Sequence, residues 1–218
     1  MDSMYRAVLF DMDGILYDSE QAYMKGTLAV MRSLGYTGPE EKLYQVIGTT
    51  MDGTYRIMSD LLDGRVGVSE IEEANEAFYR RNPIDFRSIM FDGVAECLRQ
   101  LKDEGYRLAV CSSSPKETVR SSLEVLDIAK YFEVMISADE VTKAKPDPQI
   151  YLEAAEKLHV LPQECAVYED SRIGIEAGKN AGMTVIARQD LRFGQDQSEA
   201  DYIVRDIYEM VRTVRNGE

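Results

Sequence analysis

Apolar residues in this chain fall into short runs bounded by turn-forming residues, and between the runs lie longer stretches of helical period. The first run, Ala7–Phe10, is followed at once by Asp11 and Asp13, and Gly14 then frees the backbone to bend away. Carboxylates two residues apart point the same way only while the chain stays extended. The pair is therefore expected at the carboxyl end of a buried strand. Residues 18–87 read differently. Met24, Leu28, Met31 and Leu34 give a helical stripe over 18–34, closed by Gly35. Helices are expected again over 40–46, 52–62 and 69–81, the last with Ser69 as its N-cap and Pro83 beyond its end. No strand is expected in this block, which reads as an inserted domain.

From residue 88 onward runs and helices alternate. Strands are expected at 108–111, 134–136, 166–168, 184–187 and 202–204. Helices are expected at 92–104, 115–126, 148–158, 171–181 and 207–214. That alternation implies βαβ units and a parallel sheet. The fold class expected is α/β, a doubly wound parallel sheet formed by 1–17 and 88–218, with a four-helix domain inserted at 18–87.

Polar residues follow the runs in a consistent way. Asp11 and Asp13 follow the first, and Ser112, Ser113 and Ser114 the second. Ser137 to Asp139 and then Lys145 follow the third, and Glu169 with Asp170 the fourth. In a parallel sheet these ends share one edge, where open α/β sheets bind ligands. Taken singly, the serines before Pro115 and the Glu169-Asp170-Ser171 run are ordinary helix caps, and Lys145 is an ordinary surface lysine. Four such pieces at four strand ends favour a site. Carboxylates crowded into one poorly solvated space repel one another. A hard divalent cation relieves that, and a few carboxylates with positions open to water and phosphate suit Mg²⁺. Lys145, the Ser112 hydroxyl and the amides of the helix starting after Ser114 would then face a phosphoryl group.

Net charge narrows the partners. At −14 in 218 residues, with 25 basic and 39 acidic side chains, the chain is a poor match for nucleic acid. No signal peptide is expected from its acidic first residues, it has no run of membrane-spanning length, and its three cysteines are Cys97, Cys111 and Cys165. Those features lead to the expectation of a cytoplasmic monomer with no membrane or nucleic-acid partner. The cysteines lack zinc-ligand spacing, and Cys111 and Cys165 lie in apolar runs as buried thiols. His159, the one histidine, follows a helix end, where a dipole contact is the expected role.

The motifs DMDGILYDS at 11–19, Ser112 after a strand, KAKPDPQIY at 143–151 and YEDSRIGIEAGKNAGM at 168–183 resemble, in this order, those of the haloacid dehalogenase superfamily. The likeness is to its phosphatase and phosphomutase branch with a helical cap, and it spans nearly the whole chain. It implies that Asp11 is the nucleophile that forms an aspartyl-phosphate, and that Asp13 is the general acid and base and lends a backbone carbonyl to the metal. It implies that Ser112, with Ser113 beside it, and Lys145 position the phosphoryl group. Asp170 is implied as a direct Mg²⁺ ligand, Glu169 as a direct or indirect one. Asp13 also separates the chain from the dehalogenase branch, which lacks this second aspartate.

Among relatives the chain looks most like β-phosphoglucomutase and its hydrolase cousins. It departs from the mutase at three places. Met51 stands where a cap arginine would follow Gly48-Thr49-Thr50, Tyr23 where a cap histidine would be, and Pro115 where a lysine would follow Ser114. A Mg²⁺-dependent phosphatase of a small phosphate monoester is therefore expected. A phosphosugar mutase is one alternative and a phospho-accepting receiver-like domain another. Receiver domains need no helical insertion after the first strand. Ser19, Glu20 and Tyr23, on one helix face, are the best substrate candidates in the inserted block. Lys25, Thr49, Thr50, Arg56, Tyr79 and Arg80 are further polar positions, most of them expected to be plain solvated helix faces.

Overall fold

The computed structural model describes residues 4–47, 49 and 51–217. The chain divides into two compact units. One comprises residues to Asp18 together with Phe86 onward, and the other is Ser19–Asp85.

The first unit is built on a parallel sheet of β1 (Ala7–Phe10), β2 (Arg107–Cys111), β3 (Val134–Ile136), β4 (Cys165–Glu169), β5 (Thr184–Arg188) and β6 (Tyr202–Val204). Their spatial order is β3-β2-β1-β4-β5-β6, so the chain reverses direction across the sheet at the β1–β4 boundary. Phe10 is in register with Val110 on one side and Tyr168 on the other. The residues after β1, β2 and β4 thus emerge side by side, at the switch point where doubly wound sheets hold ligands.

Both faces of the sheet are covered, which is why the strands read as unbroken apolar runs rather than as alternating ones. Val8, Phe10, Val110 and Tyr168 pack against residues of α5 (Val94–Asp103), α6 (Lys116–Val125) and α9 (Ile207–Asn216). Ala7, Leu9, Ala109 and Val167 pack on the other face against α7 (Gln149–Lys157) and α8 (Arg172–Asn180). Each fully buried Val, Leu or Phe contributes about 1.5–3 kcal/mol. Small residues let α8 lie close: a Cβ on Gly178 would stand 2.7 Å from Val185 Cγ2. All three cysteines are buried thiols.

The Ser19–Asp85 unit holds α1 (Ser19–Ser33), a 3₁₀ stretch at Glu40–Val46, α2 (Met51–Leu61) and α3 (Val68–Arg81). Among the described residues, Met24, Val30, Met31, Tyr36, Leu43, Tyr55, Met58, Leu62 and Ile71 are its buried apolar residues. The methionines among them fill core. Two details differ from the sequence reading. Glu40–Val46 closes as 3₁₀ rather than α after Pro39. And α3 begins one residue earlier, with Gly67 rather than Ser69 at its N-cap. A short α4 (Phe86–Ile89), unmarked by any apolar period, follows in the first unit.

Candidate active site

Asp11 is the first residue beyond β1, and its amide donates to Tyr168 O on β4 at 2.9 Å. That bond continues the ladder one step past the strand and fixes the side chain at the sheet's edge. Lys145 reaches it from the segment after β3. Its ammonium uses all three donors: to Asp11 Oδ1 at 2.6 Å, Glu169 Oε1 at 2.7 Å and Cys111 O at 3.0 Å. The Tyr151 ring of α7 lies beneath it, 5.0 Å from centroid to Nζ. Four segments distant in sequence meet on one nitrogen.

Glu169 is held from both sides. Oε1 also accepts from the Tyr151 hydroxyl at 3.0 Å. Oε2 accepts from the amides of Asp170 and Ser171 at 2.9 and 3.1 Å, and from Ser171 Oγ at 3.0 Å. Ser171 Oγ in turn accepts from Gly174 N and caps α8. Glycine is required at 174, because a Cβ there would stand 1.7 Å from Glu169 Oε1. Gly174→Ala is expected to cost about 2 kcal/mol or more through this clash. Urea unfolding measures it, and an unchanged midpoint would contradict the packing of α8 on Glu169.

One lysine balances two buried carboxylates, and this shapes their acidities. Burial pushes Asp11 up to about 7; Lys145 opposes that, and Glu169 and Asp13 add to it. Burial would also raise Glu169, but Lys145 and the hydrogen bonds from the α8 turn hold its carboxyl below the usual range. Burial would lower Lys145, and the two carboxylates outweigh it and raise the ammonium well above its ordinary value. The lysine is therefore a fixed positive charge, and without a second cation Asp11 is the carboxylate left short of one.

A metal ion fits that deficit. Carboxylate oxygens of Asp11, Glu169 and Asp170 lie within 4.8 Å of one another, and all three residues are buried. Room for Asp170 comes from Gly14, at φ +72°, where a Cβ would stand 2.0 Å from Asp170 Oδ2. Three hard oxygen donors beside a single lysine are a donor set for Mg²⁺ rather than for a soft metal.

Asp13 stands apart from that triad. Its Oδ2 accepts from Ser114 Oγ at 2.9 Å. Ser112 is buried; its amide donates to Ile136 O at 3.0 Å and its Oγ accepts from Ser114 N at 3.0 Å. Ser113 is exposed. These serines do not cap α6. Pro115 is its N-cap, and the Lys116 amide donates to Asp139 Oδ2 at 2.7 Å, so that amide is already engaged by a side chain.

The polar candidates of the second unit are mixed. Ser19 is buried, Glu20 half-buried and Tyr23 exposed, with the Tyr23 and Tyr79 rings edge-on at 6.0 Å. Arg56 pairs with Asp52 and Arg80 with Glu76, both one helical turn apart on exposed faces. Lys25 and Thr49 are exposed. Gly48 and Thr50 lie outside the described residues. His159 sits just beyond α7 with φ +51°.

Sequence reasoning passed over Tyr151, whose place in an apolar helical stripe hid its hydroxyl. It also passed over Arg188, Asp190, Arg192 and Gln197. Gln197 Nε2 donates to Asp170 O at 2.6 Å and Arg188 O at 2.7 Å, tying the segment after β5 to the end of β4.

Comparison with known proteins agrees with this geometry. The family described as haloacid dehalogenase-like hydrolase matches residues 8–188. A phosphorylated carbohydrates phosphatase of Thermotoga maritima is 34% identical over 183 residues, covering 81% of this chain and 82% of its own. Hexitol phosphatase B of Escherichia coli K12 is 32% identical over 206 residues, covering 92% and 90%. The crystal structure of β-phosphoglucomutase from Clostridium difficile superposes with a TM-score of 0.75 at 20% identity, over 98% of both chains, a likeness of fold. No helix among the described residues is long and apolar enough to cross a membrane. With the family's sequence pattern covering residues 8–188 and its sheet and acidic cluster in place, the chain belongs to the haloacid dehalogenase-like hydrolases.

Proposed function

We propose that the protein is a Mg²⁺-dependent phosphatase acting on a small phosphate monoester, a sugar or sugar-alcohol phosphate, through an aspartyl-phosphate on Asp11. The observation that carries this reading is the junction at Lys145 Nζ, which bonds Asp11 and Glu169 with Asp170 alongside. The names of the two phosphatase relatives support the substrate class.

In the proposed reaction an Asp11 oxygen attacks phosphorus in line while the bond to the leaving oxygen breaks. Lys145 opposes the burial that favours the protonated form of Asp11, and it stands beside the charge that spreads over the equatorial oxygens. Mg²⁺ held by Asp11, Glu169 and Asp170, with the Asp13 backbone carbonyl, would supply the second positive charge. Asp13 gives its proton to the departing alkoxide. It then takes a proton from the water that attacks the phosphorus of the phospho-enzyme, which releases phosphate and restores Asp11. Ser112, with Ser113 beside it, faces the phosphoryl group. The Ser19–Asp85 unit is the family's cap, and Ser19, Glu20 and Tyr23 are where selectivity is to be sought.

Three residues favour hydrolysis over mutase chemistry: Met51, Tyr23 and Pro115 stand where the mutase has arginine, histidine and lysine. A receiver-like signalling domain has no use for the Ser19–Asp85 unit. The test is phosphate release from a panel of sugar and hexitol phosphates with Mg²⁺ and with chelator. Metal-dependent release is expected. Interconversion of phosphosugar isomers without release would favour the mutase, and stable phosphorylation without turnover the receiver. Asp13→Asn is expected to slow esters with poor leaving groups about 10²–10⁴-fold. A normal rate on those esters would remove Asp13 from the acid role.

A further inference from the structure

We propose that Arg188 and Arg192, joined by the buried carboxylate of Asp190, are positioning residues that grip the turn after Asp13 at two points, Gly14 and Asp18, and so aim its proton at the leaving alcohol. The inference rests on the phosphatase reading above.

The loop from Met12 to Tyr17 is a closed turn. Gly14 N donates to Tyr17 O at 3.0 Å and Leu16 N to Met12 O at 2.9 Å. Arg188, the last residue of β5, donates from Nε to Gly14 O, one peptide from Asp13. Its guanidinium lies over the Phe91 ring at 4.4 Å. Just beyond the turn Arg192 places Nη1 and Nη2 on the two oxygens of Asp18, at 2.7 and 2.9 Å. Asp18 N also donates to Ile89 O at 2.8 Å, so this end is pinned to the returning chain.

Asp190 makes the two arginines one unit. Only 4% exposed, it accepts from Arg188 Nη2 at 3.0 Å, from Arg192 Nε at 3.0 Å and from the Arg192 amide at 2.9 Å. A planar guanidinium with two edges engaged has little freedom left. Gln197 locks the same segment to Asp170 O. Ser114, after β2, donates from Oγ to the Asp13 carboxylate at 2.9 Å. A general acid must sit within hydrogen-bond reach of the atom it protonates, and small misplacements are costly. Burying the Arg188 and Asp190 charges is a poor way to gain stability alone, whereas apolar side chains would fill the same space without desolvation cost. What ionic forks supply is direction, and here they fix the backbone that follows Asp13 at two points, Gly14 and Asp18.

The test compares kcat/KM for a hexitol phosphate and for p-nitrophenyl phosphate, since kcat/KM covers the steps through departure of the leaving group. The alkoxide needs a proton and p-nitrophenolate does not. Arg192→Ala and the milder Asp18→Asn are expected to lower the hexitol phosphate value on the order of tenfold, with p-nitrophenyl phosphate held within about twofold. Arg192→Lys is expected in between. The ratio of the two values is insensitive to the fraction folded. An equal fall on both esters, or no fall on either, overturns the proposal. Wild-type enzyme that hydrolyses neither ester, or an Asp13→Asn variant without leaving-group selectivity, would instead bring down the phosphatase reading itself.

Discussion

Asp11→Asn is expected to lower phosphate release by about 10³-fold or more while the protein folds as before. Asparagine keeps the shape and loses the nucleophilic charge. Stability is expected to hold within about 1 kcal/mol, because Asp11 is the carboxylate for which burial is least compensated. Lys145 keeps Glu169 and Cys111 O as partners. Steady-state turnover and thermal unfolding measure the two halves separately. Activity near wild type would mean that another group attacks phosphorus. Lost activity with lost folding would mean that the charge at 11 is structural.

Lys145→Met has the second large effect, and it separates charge from chemistry. Lys145, Asp11 and Glu169 have side chains only 3%, 11% and 1% exposed. Methionine fills the stem's space and leaves the two carboxylates facing one another without their shared cation. In chelator the variant is expected to lose about 3–5 kcal/mol, a fall in Tm on the order of 10 °C. Mg²⁺ is expected to recover more of that deficit than it adds to wild type, because the divalent charge meets the same oxygens. Turnover at saturating Mg²⁺ should remain down by about 10²–10³-fold. A variant that melts with wild type in chelator, or that gains no more than wild type from Mg²⁺, would contradict this charge balance.

Much of the site was legible because it is written at strand ends. Short apolar runs that stop abruptly at Asp11, Ser112 and Glu169 carry both the fold and the position of the chemistry, and a parallel sheet can bring them together in only one way. Lys145 was legible through its motif, since a lone lysine in a loop has no local pattern that predicts burial. Its partner Tyr151 was not legible: it occupies a core position of α7, and nothing local marks its hydroxyl as a donor to Glu169. The Arg188–Asp190–Arg192 unit was missed for a related reason. Arg192 and Asp18 are 174 residues apart, and RQDLR at 188–192 reads as a charged surface loop until β5 lies two strands from β1. Helix starts were the weakest local inference. Ser69 has the side chain of an N-cap, but the chain turns at Gly67, and Lys116 is capped by Asp139 from another segment rather than by its neighbouring serines.

The central claim is that phosphate passes through Asp11. Acid quench of the enzyme within its first turnovers on a hexitol phosphate, followed by proteolysis and mass spectrometry, tests it most directly. The account predicts one transient phosphoryl group on the peptide containing Asp11, absent from Asp11→Asn and cleared as substrate runs out. Turnover at full rate with that peptide never phosphorylated, or with the label on another residue, would contradict it.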